Sequence, residues 1–131
     1  MSFKYNFLLL IGFFTGLVTV ILLRNHGESS SFFQLFAFIP HYDKVGHFFL
    51  MGILAFLAVI TIAPLFPDRL LKSTIIILSV VLTLIALEEY SQLYIPTRTF
   101  SLQDFACDLL GVFAFGTLGY AWVRRVLRSP S

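Results

Sequence analysis

Residues 88–111 read EEYSQLYIPTRTFSLQDFACDLLG, and the fold turns on this stretch. It sets four carboxylates (Glu88, Glu89, Asp104, Asp108), Gln92 and Arg98 between two segments apolar enough to cross a bilayer. An ionisable residue at the centre of a membrane helix costs about 2.5–3.5 kcal/mol on insertion scales, so such residues face a protein interior or a wet cavity. The stretch therefore marks the joint between two helices and the first place to look for function.

The rest of the chain fits that reading. It has 131 residues, 58% of them hydrophobic and 12% charged, with a mean hydropathy of +0.90. A soluble domain needs about 25% charged residues to cover its surface. At roughly 20 apolar residues per crossing, four helices fit. The expected fold is an all-α integral membrane protein: one domain over 1–131, a four-helix transmembrane bundle with helices at about 5–23, 44–63, 70–93 and 102–127.

The first apolar run follows Lys4 and ends at Arg24, Asn25, His26 and Gly27. No small-residue cleavage site follows Leu23, so the run is expected to be a retained helix rather than a signal peptide. Gly12 and Gly16 would let a neighbouring helix approach closely. Between helices 1 and 2, the stretch FFQLFAFIP is too short to span, and its phenylalanines (Phe32, Phe33, Phe36, Phe38) sit badly in water. An outer interfacial or re-entrant segment is expected there.

Helix 2 opens at Asp43, Lys44 and His47, with Asp43 the expected N-cap, and stops at Pro64 and Pro67. Helix 3 ends on Glu88, Glu89 and Gln92, and the connector after it holds Pro96 and Arg98. Helix 4 opens on Ser101-x-x-Asp104, a capping-box spacing, and closes on Arg124, Arg125 and Arg128. Six basic residues (Lys4, Arg69, Lys72, Arg124, Arg125, Arg128) lie on the side of the termini and three (Arg24, Lys44, Arg98) on the other. Positive-inside bias then puts both termini in the cytoplasm. A net charge of +2 is too small to point to nucleic acid. Cys107, the single cysteine, excludes an internal disulfide and a multi-cysteine metal site. No ligand spacing matches a known metal motif, and no cofactor is expected.

Depth counting ties the polar residues together. Twenty residues from Lys72 reach Gln92, which leaves Glu88 and Glu89 about 5 Å inside the outer boundary. Counting back from Arg124 reaches Asp104, with Asp108 about 6 Å inside, and counting back from Pro64 puts His47 at a similar level. Capping accounts for Asp104 alone, and solvated helix ends are the plain alternative. Asp108 lies one turn deeper on the face shared with Asp104 and Gly111, where the glycine leaves room for a helix or a ligand. Glu88 and Glu89 point about 100° apart, and periodicity does not choose between them. Crowded carboxylates in a low dielectric cannot all be charged without a proton or a cation to neutralise them.

Asp43-Lys44-x-x-His47, Glu89-x-x-Gln92, Arg98, Asp104 and Gly111, in this order on consecutive helices, resemble the VanZ-like membrane protein family. The likeness covers Asp43 to about Gly119. The family pattern has Asn where this chain has Asp108, which adds a carboxylate. The resemblance implies a bacterial plasma-membrane protein of the cell envelope, a link with teicoplanin-type antibiotic resistance, and Glu89 rather than Glu88 as the inward carboxylate.

The expected function is an outward-facing pocket that binds a lipid-linked envelope precursor, an anionic lipid headgroup or a lipoglycopeptide. Its residues are Asp43, Lys44, His47, Glu89, Gln92, Arg98, Asp104, Asp108 and Gly111, with Arg98 and Lys44 on the anionic group. One alternative is an intramembrane hydrolase or transferase acting on a polyprenyl or phospholipid phosphate. His47 would then be the base, Glu89 or Asp104 its orienting group, and Arg98 the charge stabiliser. Another alternative is a structural membrane scaffold.

Overall fold

The computed structural model describes residues 3–26, 38 and 40–129. Four helices, each long and apolar enough to cross a membrane, follow one another up and down: α1 (Phe3–Asn25), α2 (Tyr42–Ile62), α3 (Leu70–Ser91) and α4 (Leu102–Arg128). Their ends fall within two residues of the sequence expectation. The turn from α2 to α3 is two 3-10 turns, Ala63–Leu65 and Pro67–Arg69, because Pro64 and Pro67 cannot donate to a continuing helix. Another 3-10 turn, Gln92–Tyr94, extends α3 toward the connector.

Each inner helix buries one stripe. On α3 the stripe is Thr74, Ile77, Val81, Ile85 and Glu89, at three- and four-residue spacing. On α4 it is Asp104, Asp108, Gly111, Val112, Gly116, Gly119 and Val123. The α2 stripe, with Leu54, Ala55, Ala58 and Val59, closes the core between them. Small residues let two helix backbones approach closely, which strengthens their packing. Accordingly α2 and α4 form the tightest pair: a Cβ on Gly111 would overlap the Phe48 carbonyl, and one on Gly119 would come within 3.2 Å of Val59.

α1 packs chiefly on α2 and buries only Asn6 and Leu17. It is fixed at both ends. Asn6 donates to the Ile60 carbonyl, while Arg24 pairs with Asp43 at 3.4 Å and Asn25 receives Thr97 and Arg98.

Two expectations are corrected and one falls outside view. Asp43 is not the N-cap of α2: His41 occupies that position in a left-handed conformation, φ 56°, with no side-chain cap. Asp43 sits inside the first turn, where it complements the helix dipole and pairs with Arg24 instead. Among the described residues Gly12 and Gly16 receive no neighbouring helix, since a Cβ at either would meet nothing within 4 Å. The expected interfacial or re-entrant segment lies, apart from Phe38 and residues 40–43, outside the described residues.

Candidate functional site

His47 is the centre of the polar end, the end of the bundle opposite the termini. Its Nδ1 lies 2.9 Å from Asp108 Oδ1, and its Nε2 lies 3.9 Å from Asp104 Oδ2. Asp108 is 1% exposed, so the contact is shielded from solvent. Lys44 Nζ approaches Asp104 at 3.3 Å on the flank of α2 and α4.

Glu89, 2% exposed, completes the capping of α4 from the next helix. The Ser101 hydroxyl accepts from the Asp104 N–H at 3.3 Å, as the sequence predicts. In a capping box the residue three places on would return to the N-cap N–H. Here Glu89 Oε1 accepts from the Ser101 N–H at 2.9 Å, and Asp104 is released to reach Lys44 and His47. Gln92 Nε2 donates to Glu89 at 3.0 Å and to Glu88 at 3.1 Å, which joins the two carboxylates.

Glu88 belongs to the other side. It lines a cleft of about 410 Å³ between α1 and α2, together with Arg24, Asp43, His47 and Arg98. Below these groups the walls are apolar: Leu17, Val20 and Ile21 from α1, and Val45, Phe49 and Leu50 from α2. Val45, Phe49 and Leu50 are also exposed on the bundle surface, so the cleft opens onto its flank. Arg98 lies 3.7 Å from Glu88 and donates to Asn25 Oδ1 at 2.8 Å. Burial pushes its guanidinium below the ordinary arginine value; Glu88, Glu89 and Asp43 pull it upward and Arg24 pushes it further down. Arg98 therefore feels three carboxylates, Glu88, Glu89 and Asp43, and one other cation, Arg24.

Among the described residues two sets of side chains have the donor types of an oxygen- and nitrogen-ligated divalent ion, Asp43/His47/Asp104 and His47/Glu89/Asp108, with donor atoms within 4.8 Å of one another in each. In the second set both Glu89 oxygens and Asp108 Oδ1 are already engaged by Ser101, Gln92 and His47.

Of the residues singled out from sequence, His47, Glu89, Gln92, Asp104 and Asp108 converge, and Asp43 and Arg98 border the cleft. Lys44 is joined to the cluster through Asp104 but does not line the cleft. Gly111 offers no space for a ligand beside it, because the α2 backbone fills that space. Sequence reasoning missed Arg24, Asn25 and Ser101 as members, and Glu88, which it counted among the carboxylates but set behind Glu89 on the resemblance, borders the cleft. A depth count would have found Arg24: twenty residues from Lys4 reach it, the same level as the other three helices. Comparison with known protein families, curated proteins and solved structures returns no match for this chain.

Proposed function

We propose that this chain is a VanZ-like, multi-pass protein of a bacterial plasma membrane, with both termini cytoplasmic and the polar end facing outward, and that the cleft between α1 and α2 binds an amphiphile. The ligand carries an acyl or polyprenyl chain and a phosphate or other anionic group, as do a lipid-linked envelope precursor, a phospholipid and a lipoglycopeptide. The observation that carries this reading is the cleft's composition: apolar walls open to the flank, closed at one end by Arg24, Asp43, His47, Glu88 and Arg98. Pockets for small molecules combine mainly apolar walls with a few placed polar groups in this way. A chain entering from the bilayer would keep its tail against Val45, Phe49 and Leu50 while its head meets Arg24 and Arg98.

Gly46 provides the test. It lines the cleft, and a Cβ there meets nothing within 4 Å, so Gly46→Phe fills the cavity without opposing the helix. The variant is expected to unfold at the wild-type temperature in detergent yet lose co-purifying lipid, measured by native mass spectrometry. Unchanged lipid retention would remove the reading.

A second reading is favoured by one contact. His47 borders the cleft while Asp108 holds its Nδ1 at 2.9 Å, the arrangement of an oriented general base. In an intramembrane hydrolase or transferase this pair would activate water or an acceptor hydroxyl toward the ligand's phosphate. Release of phosphate from a labelled polyprenyl phosphate or pyrophosphate, lost in folded His47→Ala, would establish it; no turnover would leave binding alone.

A further inference from the structure

The end of the bundle that carries the termini has a hollow of its own, away from the cleft. It measures about 630 Å³ and is lined by Tyr120, Ala121, Arg124, Arg125, Arg128 and Ser129, from the last turns of α4 and its C-cap. Tyr120, Arg124 and Arg128 follow one another at four-residue spacing along one line of the helix, and Arg125 stands beside them. All three arginines are exposed, and among the described residues no carboxylate lies within 4 Å of their guanidinium groups. Met1, Ser2, Pro130 and Ser131 bring no acidic side chain to this end. Asp68 is thus the one acidic side chain there, against Lys4, Arg69, Lys72 and the three arginines.

Depth and charge together identify the occupant. About twenty residues of α4 separate Asp104 from Arg124, enough to cross a hydrocarbon layer of about 30 Å. In a bilayer the hollow therefore lies at the headgroup level of the leaflet on the side of the termini. A phosphate there meets planar guanidinium donors, which suit its oxygens. An ammonium on the same head finds no carboxylate among the lining residues, so a purely anionic head gains more than a zwitterionic one. Toward the bundle centre, Trp122 and Leu118 continue the face of Arg125 at three- and four-residue steps, and they are 60% and 58% exposed. They offer an apolar surface to an acyl chain.

We propose that this hollow binds an anionic phospholipid of the surrounding bilayer, its phosphate held by Arg124, Arg125 and Arg128 and its chain lying on Trp122 and Leu118. The site does not depend on what fills the cleft at the opposite end. Because its arginines are exposed, its lipid exchanges with the bilayer and is not carried through purification.

Trp122 makes the test local, since it is the single tryptophan of the chain. The full chain is reconstituted into bilayers of equal phosphatidylglycerol and phosphatidylcholine with matched chains, one or the other brominated on its acyl chains near the glycerol, and quenching of tryptophan fluorescence is read. Wild-type protein is expected to hold the anionic lipid beside Trp122 with a preference of at least about fivefold, as basic clusters at anionic membrane surfaces do. Arg124→Gln/Arg125→Gln/Arg128→Gln is expected to level the two lipids. Lys4→Gln/Arg69→Gln/Lys72→Gln removes as much charge from the same end and leaves the hollow intact, while Gly46→Phe fills only the cleft; both are expected to keep the preference. Equal quenching by the two lipids in the wild type would overturn the proposal. An equal loss of preference in the two triple variants would overturn it as well, by assigning the effect to charge at large. Loss of preference in Gly46→Phe would do the same, by tying the anionic lipid to the cleft.

Discussion

His47 divides the polar end into two sides built from the same kinds of residue. On one side Glu89, Gln92, Ser101 and Asp104 close on one another: Glu89 is 2% exposed and each of its oxygens accepts a hydrogen bond at 3.0 Å or less. On the other side Arg24, Asp43, Glu88 and Arg98 make ion pairs of 3.4 and 3.7 Å along a cavity. Removing one partner from a closed, buried network leaves its donors stranded, whereas a loose pair beside a cavity has little of its own to lose. Stability is thus concentrated on the side of α3 and α4, and the proposed recognition lies on the side of α1 and α2. The polar residues that look alike in sequence do different work according to which side they face.

The largest effect should come from the closed side. Glu89→Ala strands the Ser101 N–H, at about 1–3 kcal/mol for a donor left without an acceptor, and leaves the Gln92 amide only Glu88 as acceptor. Thermal unfolding in detergent should shift down by many degrees. Glu89→Gln should recover most of the loss, because its amide oxygen still accepts from Ser101 and the Gln92 amide can turn over. If Glu89→Ala unfolds like wild type, the closed side is not a structural network and the contrast fails at its stronger end.

An intermediate effect belongs to Ser101→Ala. It removes the hydroxyl that accepts from the Asp104 N–H at 3.3 Å but keeps the Ser101 N–H bond to Glu89. Losing an N-cap side chain costs about 1 kcal/mol in proteins. The helix start is held from two directions, so the same unfolding measurement should show a smaller shift than in Glu89→Ala. A loss equal to that of Glu89→Ala would mean that the hydroxyl, and not the carboxylate from α3, holds the start of α4.

The four helices are legible in sequence because long apolar runs are broken by Pro64, Pro67 and Pro96, and because 1.5 Å per residue turns position into depth. Depth put His47, Glu89 and Asp104 at one level, where the structure places them. Rotation about the helix axis was not legible. Asp108, rather than Glu89 or Asp104, takes His47 Nδ1, and that choice depends on how α2 turns against α4. Contact between Gly111 and the Phe48 backbone sets this rotation, and it joins residues far apart in the chain. Glycine spacing was a poor guide for the same reason: Gly12 and Gly16 have a familiar interval and no neighbour among the described residues, while Gly111 and Gly119, eight apart, carry the helix contact. The cleft was hidden because it depends on α1, whose Arg24 and Asn25 read as an ordinary helix end.

Arg24→Gln should have the smallest effect on stability and still separate the two sides. Its pair with Asp43 is 3.4 Å long and more than a third exposed, and exposed pairs contribute about 0–1 kcal/mol, less in salt. Asn25 continues to receive Thr97 and Arg98 at 2.8 Å, so the end of α1 stays in place. Unfolding should therefore move little. Phospholipid retention should fall about tenfold, because a hydrogen bond to a charged group is worth about 1.5–3 kcal/mol and every 1.4 kcal/mol is a factor of ten. Should Arg24→Gln instead destabilise the bundle while holding lipid as before, the pair would be a fastening between α1 and α2. The cleft's head would then belong with the closed network on the far side of His47.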